Sequence, residues 1–246
     1  MKLSIIVCAF NERETIEQCL AQIQAADLGS GWEREIIVLD NCSTDGTREF
    51  LRAYTMPNTI IVLNEHNLGK GGSIRQGFAL ATGEYAVIQD ADLEYPPAQL
   101  RRLIEAVEQH GADAVLGSRV LGGTARYHYV HAFLGIRLLS GLTNLFFGSS
   151  LTDVGTAIKL VRCDITRSLN LVGNGFDLDF ELVNKILLAG FTIHEVPVDY
   201  FPRTYAQGKK ITVRDGLLAV WVILRDRLGL SRTLRSDAVL ERRSAK

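Results

Sequence analysis

The sequence predicts an α/β fold: a mostly parallel sheet with helices on both faces, followed by amphipathic helices toward the C-terminus. Three observations predict it. Five short apolar runs alternate with segments of helical periodicity through the first half of the 246-residue chain, the pattern of repeated strand–helix–strand units. The runs are apolar at consecutive positions, as strands covered on both faces require. Polar and glycine-rich stretches follow the runs, where an open parallel sheet places its ligand sites.

The elements follow in order. Leu3 to Ala9 reads as a buried first strand rather than a leader, because charged Glu12-Arg13-Glu14 follows at once and no small-residue cleavage site does. Asn11, with Glu14 three residues on, has the spacing of a capping box before a helix carrying Ile16, Leu20 and Ile23. Glu35 to Asp40 is a second strand, with Thr44 or Asp45 to cap the next helix, and Thr59 to Asn64 a third. Ser73 to Ala81 reads as a helix entered through a glycine-rich turn, and Tyr85 to Gln89 as a fourth strand. Pro97 opens a helix with the stripe Leu100, Leu103, Ile104, Val107, stopped by Gly111. Ala114 to Ser118 is a fifth strand. Beyond it, Phe133 to Phe147 has helical spacing, Thr156 to Val161 and Ile193 to Val198 read as strands, Asp199 to Val213 as a polar loop, and Gly216 to Leu228 as a helix. One domain over residues 1–231 is expected, with a basic, loosely ordered tail over 232–246.

Composition excludes several classes. Net charge is −1, so no bulk field favours nucleic acid. Cys8, Cys19, Cys42 and Cys163 show no metal-ligand or CxxC spacing and read as reduced thiols of a cytosolic protein. The longest uninterrupted apolar run, Leu217 to Leu224, is far short of the roughly 20 residues of a membrane span.

Chemistry concentrates at the ends of the runs. Asp90-Ala91-Asp92 follows the fourth strand, and two carboxylates there suit Mg²⁺ or Mn²⁺, which takes few protein ligands and completes its shell with phosphate and water. An aspartate after a strand is equally a common turn former. Asn67 to Gly72 lacks the Walker spacing; its glycines would let backbone approach a donor closely, or simply make a tight turn. Arg119 closes the fifth strand, where a guanidinium can fork a phosphate. Asp177, Asp179 and Glu181 precede a helix and offer either a general base, Glu181 or Asp179 first, or plain capping. His194 falls in an alternating strand and reads as structural.

An ordered series of segments resembles the family 2 glycosyltransferases of GT-A fold, and among them the polyprenol- or dolichol-phosphate mannose and glucose synthases. The segments are Ile5 to Glu12, Val38 to Thr47, Asn67 to Gly72, Gln89 to Pro97, Gly117-Ser-Arg119, Thr152 to Thr156 and Phe201 to Lys210. The resemblance implies that Phe10, Asn11, Glu12, Asp40, Lys70, Asp90, Ala91, Arg203, Lys209 and Lys210 bind a UDP- or GDP-hexose donor. It implies that Asp90 and Asp92 hold Mg²⁺ or Mn²⁺, with Asp92 the direct ligand. Asp92, Arg119 and Glu181 are the expected catalytic residues, and Arg119, Arg137 and Ser140 the expected acceptor contacts. Cys8 and Asn41 depart from the family pattern, standing where many relatives have proline and a second aspartate; the second leaves the base open. The expected reaction is inverting transfer to a polyprenyl phosphate. The alternatives are transfer to a saccharide or protein hydroxyl, or a nucleotide-binding regulatory protein without catalysis. The apolar circumference of 133–147, Trp221 among arginines, and a net +4 from Arg225 to Lys246 point to a cytoplasmic protein lying peripherally on the membrane face; packing of those helices on each other or in a homo-oligomer is the other reading.

Overall fold

The computed structural model describes residues 1–121, 130–203 and 213–234. Seven strands form one sheet in the order β3-β2-β1-β4-β6-β5-β7. They are β1 (Lys2–Ala9), β2 (Glu33–Asp40), β3 (Thr59–Leu63), β4 (Tyr85–Asp90), β5 (Ala114–Ser118), β6 (Lys159–Arg162) and β7 (Ile193–Pro197). β1 pairs in parallel with β2 and β4, β2 with β3, and β5 with β7. β6 alone of these runs antiparallel, wedged between β4 and β5. The consecutive apolar residues of β1 divide between the two faces, as a period of two dictates. Leu3, Ile5 and Val7 join one core with Ile16, Leu20 and Leu103. Ile6 joins a second with Ile74, Phe78 and Leu182.

The helices are α1 (Ile16–Ala25), α2 (Thr47–Ala53), α3 (Gly69–Leu80), α4 (Leu100–His110), α5 (Val130–Phe147), α6 (Cys163–Ser168), α7 (Leu178–Leu188) and α8 (Val213–Arg227). A third core lies among α5, α7 and α8, with Leu139, Val183, Val222 and Ile223 buried in it. No helix among the described residues is long and apolar enough to cross a membrane. All four cysteines are free thiols.

Several local expectations shift for identifiable reasons. Asn11 does not cap α1. It sits at φ 56°, where its short amide tolerates the left-handed region, and its Oδ1 accepts from Thr44 N at 2.8 Å. The helix then starts at Ile16. Asp45 does serve the start of α2, accepting Thr47 N at 3.0 Å. The glycine-rich segment is not a turn before α3 but its first turn. A Cβ on Gly71 would lie 2.7 Å from the Gly173 carbonyl oxygen and 2.8 Å from that of Gly175. The close approach these glycines permit is to the chain's own segment 173–175, where Gly72 N donates to Asn174 O at 3.2 Å. Order also continues past Ser231: Asn170 N donates to Thr233 O at 2.9 Å and Leu169 bridges Leu234.

Candidate active site

The C-terminal ends of β1, β2 and β4 open onto one cavity of about 270 Å³. The register sets Ala9 beside Asp40 and Cys8 beside Asp90, so the segments leaving these strands face each other. Phe10, Glu12, Asn41, Asp90, Ala91 and Asp92 contribute to its wall from this side. Lys70 enters from the first turn of α3, Asp179 from α7, Arg119 from the end of β5, and Arg203 from the chain beyond β7.

Charge alternates across it. Lys70 Nζ lies 2.8 Å from Asp90 Oδ2 and 4.0 Å from Asp179 Oδ2. Fully buried Lys159 holds the other Asp179 oxygen at 2.7 Å and donates to Thr156 O. Burial alone would depress the Lys70 ammonium, but Asp90 and Asp179 raise it above its ordinary value. For Lys159 burial prevails over Asp179 and the shift is downward. At the mouth, Arg203 grips Glu12 with both terminal nitrogens, at 2.9 and 3.2 Å, and reaches Asp92 Oδ2 at 2.8 Å. Burial, with repulsion from Asp90 and Glu94, pushes the Asp92 carboxyl up to about 7 against the pull of Arg203. Burial raises the Cys8 thiol to about 12, helped by Asp90, so this cavity-lining sulfur stays protonated and unreactive.

Hard oxygen donors crowded to this degree fit a divalent cation. Asp90 and Asp92 each have one oxygen held by a flexible cation that a stronger one can displace. No group of three or more His, Cys, Asp or Glu side chains among the described residues is set to hold a metal by itself. Any ion here would rely on donor phosphates for the remainder of its shell, which is the habit of Mg²⁺.

Some expected site residues stand elsewhere. Asp40 does not reach the cavity: it is fully buried, paired to Arg48 at 2.7 Å, and accepts Ser43 N. Its neighbour Asn41 takes the position at the wall. Asn11 is turned to Thr44 and does not line the cavity either. Glu181 is fully buried below it, accepting from Val172 N and Gly173 N and paired with Lys185 and Arg225. It shapes the loop that packs on α3, while Asp179, two residues earlier, faces the cavity. Ser140 is buried, its Oγ accepting Val154 N at 3.1 Å. Arg137 is exposed, donating to Thr152 O at 3.4 Å, away from the cavity wall. Arg119 lies at the wall, but its fork is engaged by Asp153, with Nε and Nη2 each at 2.7 Å, and its guanidinium sits 5.1 Å from the Tyr200 ring centroid. Lys209 and Lys210 fall outside the described residues. Asn67 and Asp153 fall within the segments that carry the resemblance but are given no role of their own by it, and Lys159, a buried charge with no local pattern to mark it, is missed by sequence reading.

The arrangement matches a known family. Residues 4–169 fit the model described as glycosyl transferase family 2. The chain belongs to glycosyl transferase family 2. It has the GT-A fold of that family's glycosyltransferases, a mostly parallel sheet with helices on both faces and further helices toward the C-terminus. Over 249 residues it is 28% identical to the undecaprenyl-phosphate mannosyltransferase of Micrococcus luteus, covering 94% of this chain and 100% of the relative. It is 27% identical over 203 residues to the low-salt glycan biosynthesis hexosyltransferase Agl6 of Haloferax volcanii, covering 82% of this chain and 48% of that one. The chain thus spans about half the length of the latter. Among solved structures, glucosyl-3-phosphoglycerate synthase from Mycobacterium tuberculosis superposes with a TM-score of 0.70 at 20% identity, covering 92% of this chain and 79% of that one. The same enzyme with Mn²⁺, UDP and glucosyl-3-phosphoglycerate gives 0.68 at 20%, with 93% and 80% covered.

Proposed function

We propose that this chain transfers a hexose, with inversion, from a UDP- or GDP-hexose to a polyprenyl phosphate at the cytoplasmic face of a membrane. The observation that carries the donor half is the Asp90/Asp92 pair at the open end of β4, beside the cations Lys70 and Arg203. Asp90 and Asp92 would hold Mg²⁺ or Mn²⁺, which when bound supplies positive charge to a diphosphate leaving group. Phe10, Glu12 and Ala91 would border the nucleoside, and Arg203, with Lys209 and Lys210 beyond it, would meet the departing diphosphate.

Two features support the acceptor. The first is chemical. A phosphate monoester has its second pKa near ~6, so at neutral pH it attacks the anomeric carbon without a strong base. No free carboxylate at this cavity is then required for that task, and the paired state of Asp179 is no obstacle. The second is the surface. Leu134, Leu138 and Leu145 on α5 and Leu217, Leu218 and Trp221 on α8 are exposed, and the two helices belong to one packed unit. An apolar face of that kind, with Arg214 and Arg227 exposed on α8, suits a bilayer interface. The Micrococcus relative is named for a lipid-phosphate acceptor. Arg119, anchored by Asp153, would sit nearest the acceptor phosphate.

A second reading has its own support: the superposing solved enzyme is named for a water-soluble phosphorylated acceptor. The deciding experiment offers purified protein UDP- and GDP-hexoses with Mn²⁺, against undecaprenyl phosphate in anionic liposomes and against phosphoglycerate in solution. Transfer to the lipid phosphate, with protein pelleting on the liposomes, is expected. Transfer only to the soluble acceptor would replace the acceptor half, and no donor turnover on any acceptor would remove the enzyme reading.

A further inference from the structure

Resting on the assignment of Arg119 to the acceptor phosphate, we infer that Glu195 of β7 is a positioning residue for that arginine: it sets the loop whose Asp153 grips the guanidinium. Glu195 lies opposite Leu116 in the pairing of β5 with β7. It stands behind the cavity wall rather than on it, so its influence on substrate runs through what it holds. It accepts three hydrogen bonds from two consecutive residues. Oε2 takes Thr152 N at 2.7 Å and Thr152 Oγ1 at 3.0 Å, and Oε1 takes Asp153 N at 2.9 Å.

Two routes lead from this carboxylate to Arg119. The first is ionic. Asp153 is fully buried, and with its backbone held at Glu195 it presents both oxygens to the arginine. Oδ2 accepts Arg119 N at 3.0 Å and Nε at 2.7 Å, and Oδ1 accepts Nη2 at 2.7 Å. The second route runs through hydroxyls whose direction Glu195 settles. An ionised carboxylate can only accept, so Thr152 gives its proton to Glu195. In the 2.6 Å contact between Ser118 and Thr152, Ser118 is then the donor. Its Oγ keeps two lone pairs for Val120 N at 3.1 Å and Leu121 N at 3.2 Å, the two amides that follow Arg119.

One carboxylate therefore fixes Arg119 from both ends, its backbone through Thr152 and Ser118 and its side chain through Asp153. From the other side α5 steadies the same loop, Asn144 Oδ1 taking Leu151 N at 2.9 Å and Ser140 Oγ taking Val154 N at 3.1 Å. The guanidinium also lies over the Tyr200 ring, 5.1 Å from its centroid. Its plane is set by ring and carboxylate together, and a small shift of Asp153 re-aims it at the cavity. Glu195→Gln keeps the shape of the side chain but turns one oxygen into an NH₂. Either orientation sets that NH₂ against a main-chain N–H, of Thr152 or of Asp153, so one anchor of the loop is lost.

The experiment measures transfer to undecaprenyl phosphate in anionic liposomes with Mn²⁺, beside calorimetric titration with the nucleoside diphosphate of the donor used. Glu195→Gln should raise the KM for undecaprenyl phosphate about tenfold, the scale of one hydrogen bond to a charged group. It should leave kcat and nucleotide affinity within about twofold. In an Arg119→Ala chain the same substitution should change kcat/KM by less than about twofold, because the residue it acts through is gone. Should Glu195→Gln not fold, Thr152→Val carries the same comparison: it cuts the hydroxyl route and leaves both amides on Glu195, and its effect should also vanish in the Arg119→Ala chain. An unchanged KM, effects that multiply in the double variant, or an equal loss of nucleotide affinity would overturn the inference while leaving the acceptor reading intact. No transfer to undecaprenyl phosphate by the unaltered chain would instead remove the acceptor reading, and this inference with it.

Discussion

Arg203 and Asp92 meet at 2.8 Å, and the same guanidinium holds both oxygens of Glu12. One arginine thereby closes the cavity mouth and pairs with a carboxylate of the proposed cation site. Chain beyond β7 is tied to the ends of β1 and β4 by charge, and any occupant that needs Asp92 must compete with this ion pair.

That relationship predicts the effect of Asp92→Asn. The side chain is half-buried in the loop after β4 and lines the cavity rather than a core, and asparagine keeps its shape, so the fold should persist. Transfer should fall about 100-fold or more, the loss typical when a group that stabilises developing charge is removed, and EDTA should abolish what the unaltered protein does. Steady-state rates with and without Mn²⁺, beside a melting curve, check it; near-normal turnover in EDTA would remove the metal assignment.

Asp179 and Glu181 should separate chemistry from stability. Glu181 is buried among Lys185, Arg225 and two backbone N–H groups. Glu181→Gln leaves buried Lys185 without its carboxylate while Arg225 keeps Asp226, and breaking such a pair costs about 3–5 kcal/mol. Asp179→Asn also leaves buried Lys159 without its carboxylate, so it should lower Tm as well, but it should lower transfer in protein that is still folded, which Glu181→Gln should not. Thermal unfolding and turnover per folded molecule measured on both variants give the comparison, and equal loss of turnover per folded molecule in the two would erase the distinction.

Glu35 makes part of the acid sensitivity. Burial would raise its carboxyl, but Ser4, Thr82 and Lys2 together hold it down at about 2. A depressed carboxyl contributes stability that is present above its unfolded pKa, near ~4.3, and that is lost as pH falls toward 2. Glu35→Gln should therefore be less stable than the unaltered chain at pH 7, with the difference shrinking between about pH 4.3 and 2. Urea midpoints across that range measure it; a difference constant with pH would contradict the assignment.

The exposed face of α5 and α8 gives a fourth expectation. Replacing Leu217 and Trp221 with serine should leave Tm within a degree or so, because both are exposed, and surface changes are usually within about 0.5 kcal/mol. Sedimentation with anionic liposomes should fall severalfold. Unchanged pelleting would move membrane contact to another surface or remove it.

Much of this was legible in the sequence, for physical reasons that vary by element. β1, β2, β4 and β5 announce themselves because strands buried on both faces leave unbroken apolar runs, and Gly111 ends α4 at φ 59°, where a side chain is disfavoured. The Asp90-Ala-Asp92 pair was visible because both residues leave one strand. Less visible was what depends on partners distant in the chain. Nothing near Asp40 indicates that Arg48 will bury it, and nothing near Arg119 indicates that Asp153, 34 residues on, will take its fork. The glycines before Ser73 fitted either close approach to a donor or a tight turn, because a demand for close approach looks the same whatever approaches. The antiparallel sense of β6 has no local signature at all.

Lys70 stands between two carboxylates, 2.8 Å from Asp90 and 4.0 Å from Asp179. Should a cation arrive at Asp90, the ammonium has a second partner within about an ångström of travel, and no charge is stranded in a low-dielectric wall. The reorganisation is that of one side chain, on the nanosecond scale of rotamer motion rather than the microseconds or longer of a loop rearrangement. Loading at this end of the cavity should therefore follow the cation's arrival without a slow isomerisation, and stopped-flow mixing with Mn²⁺ should show a single, concentration-dependent phase.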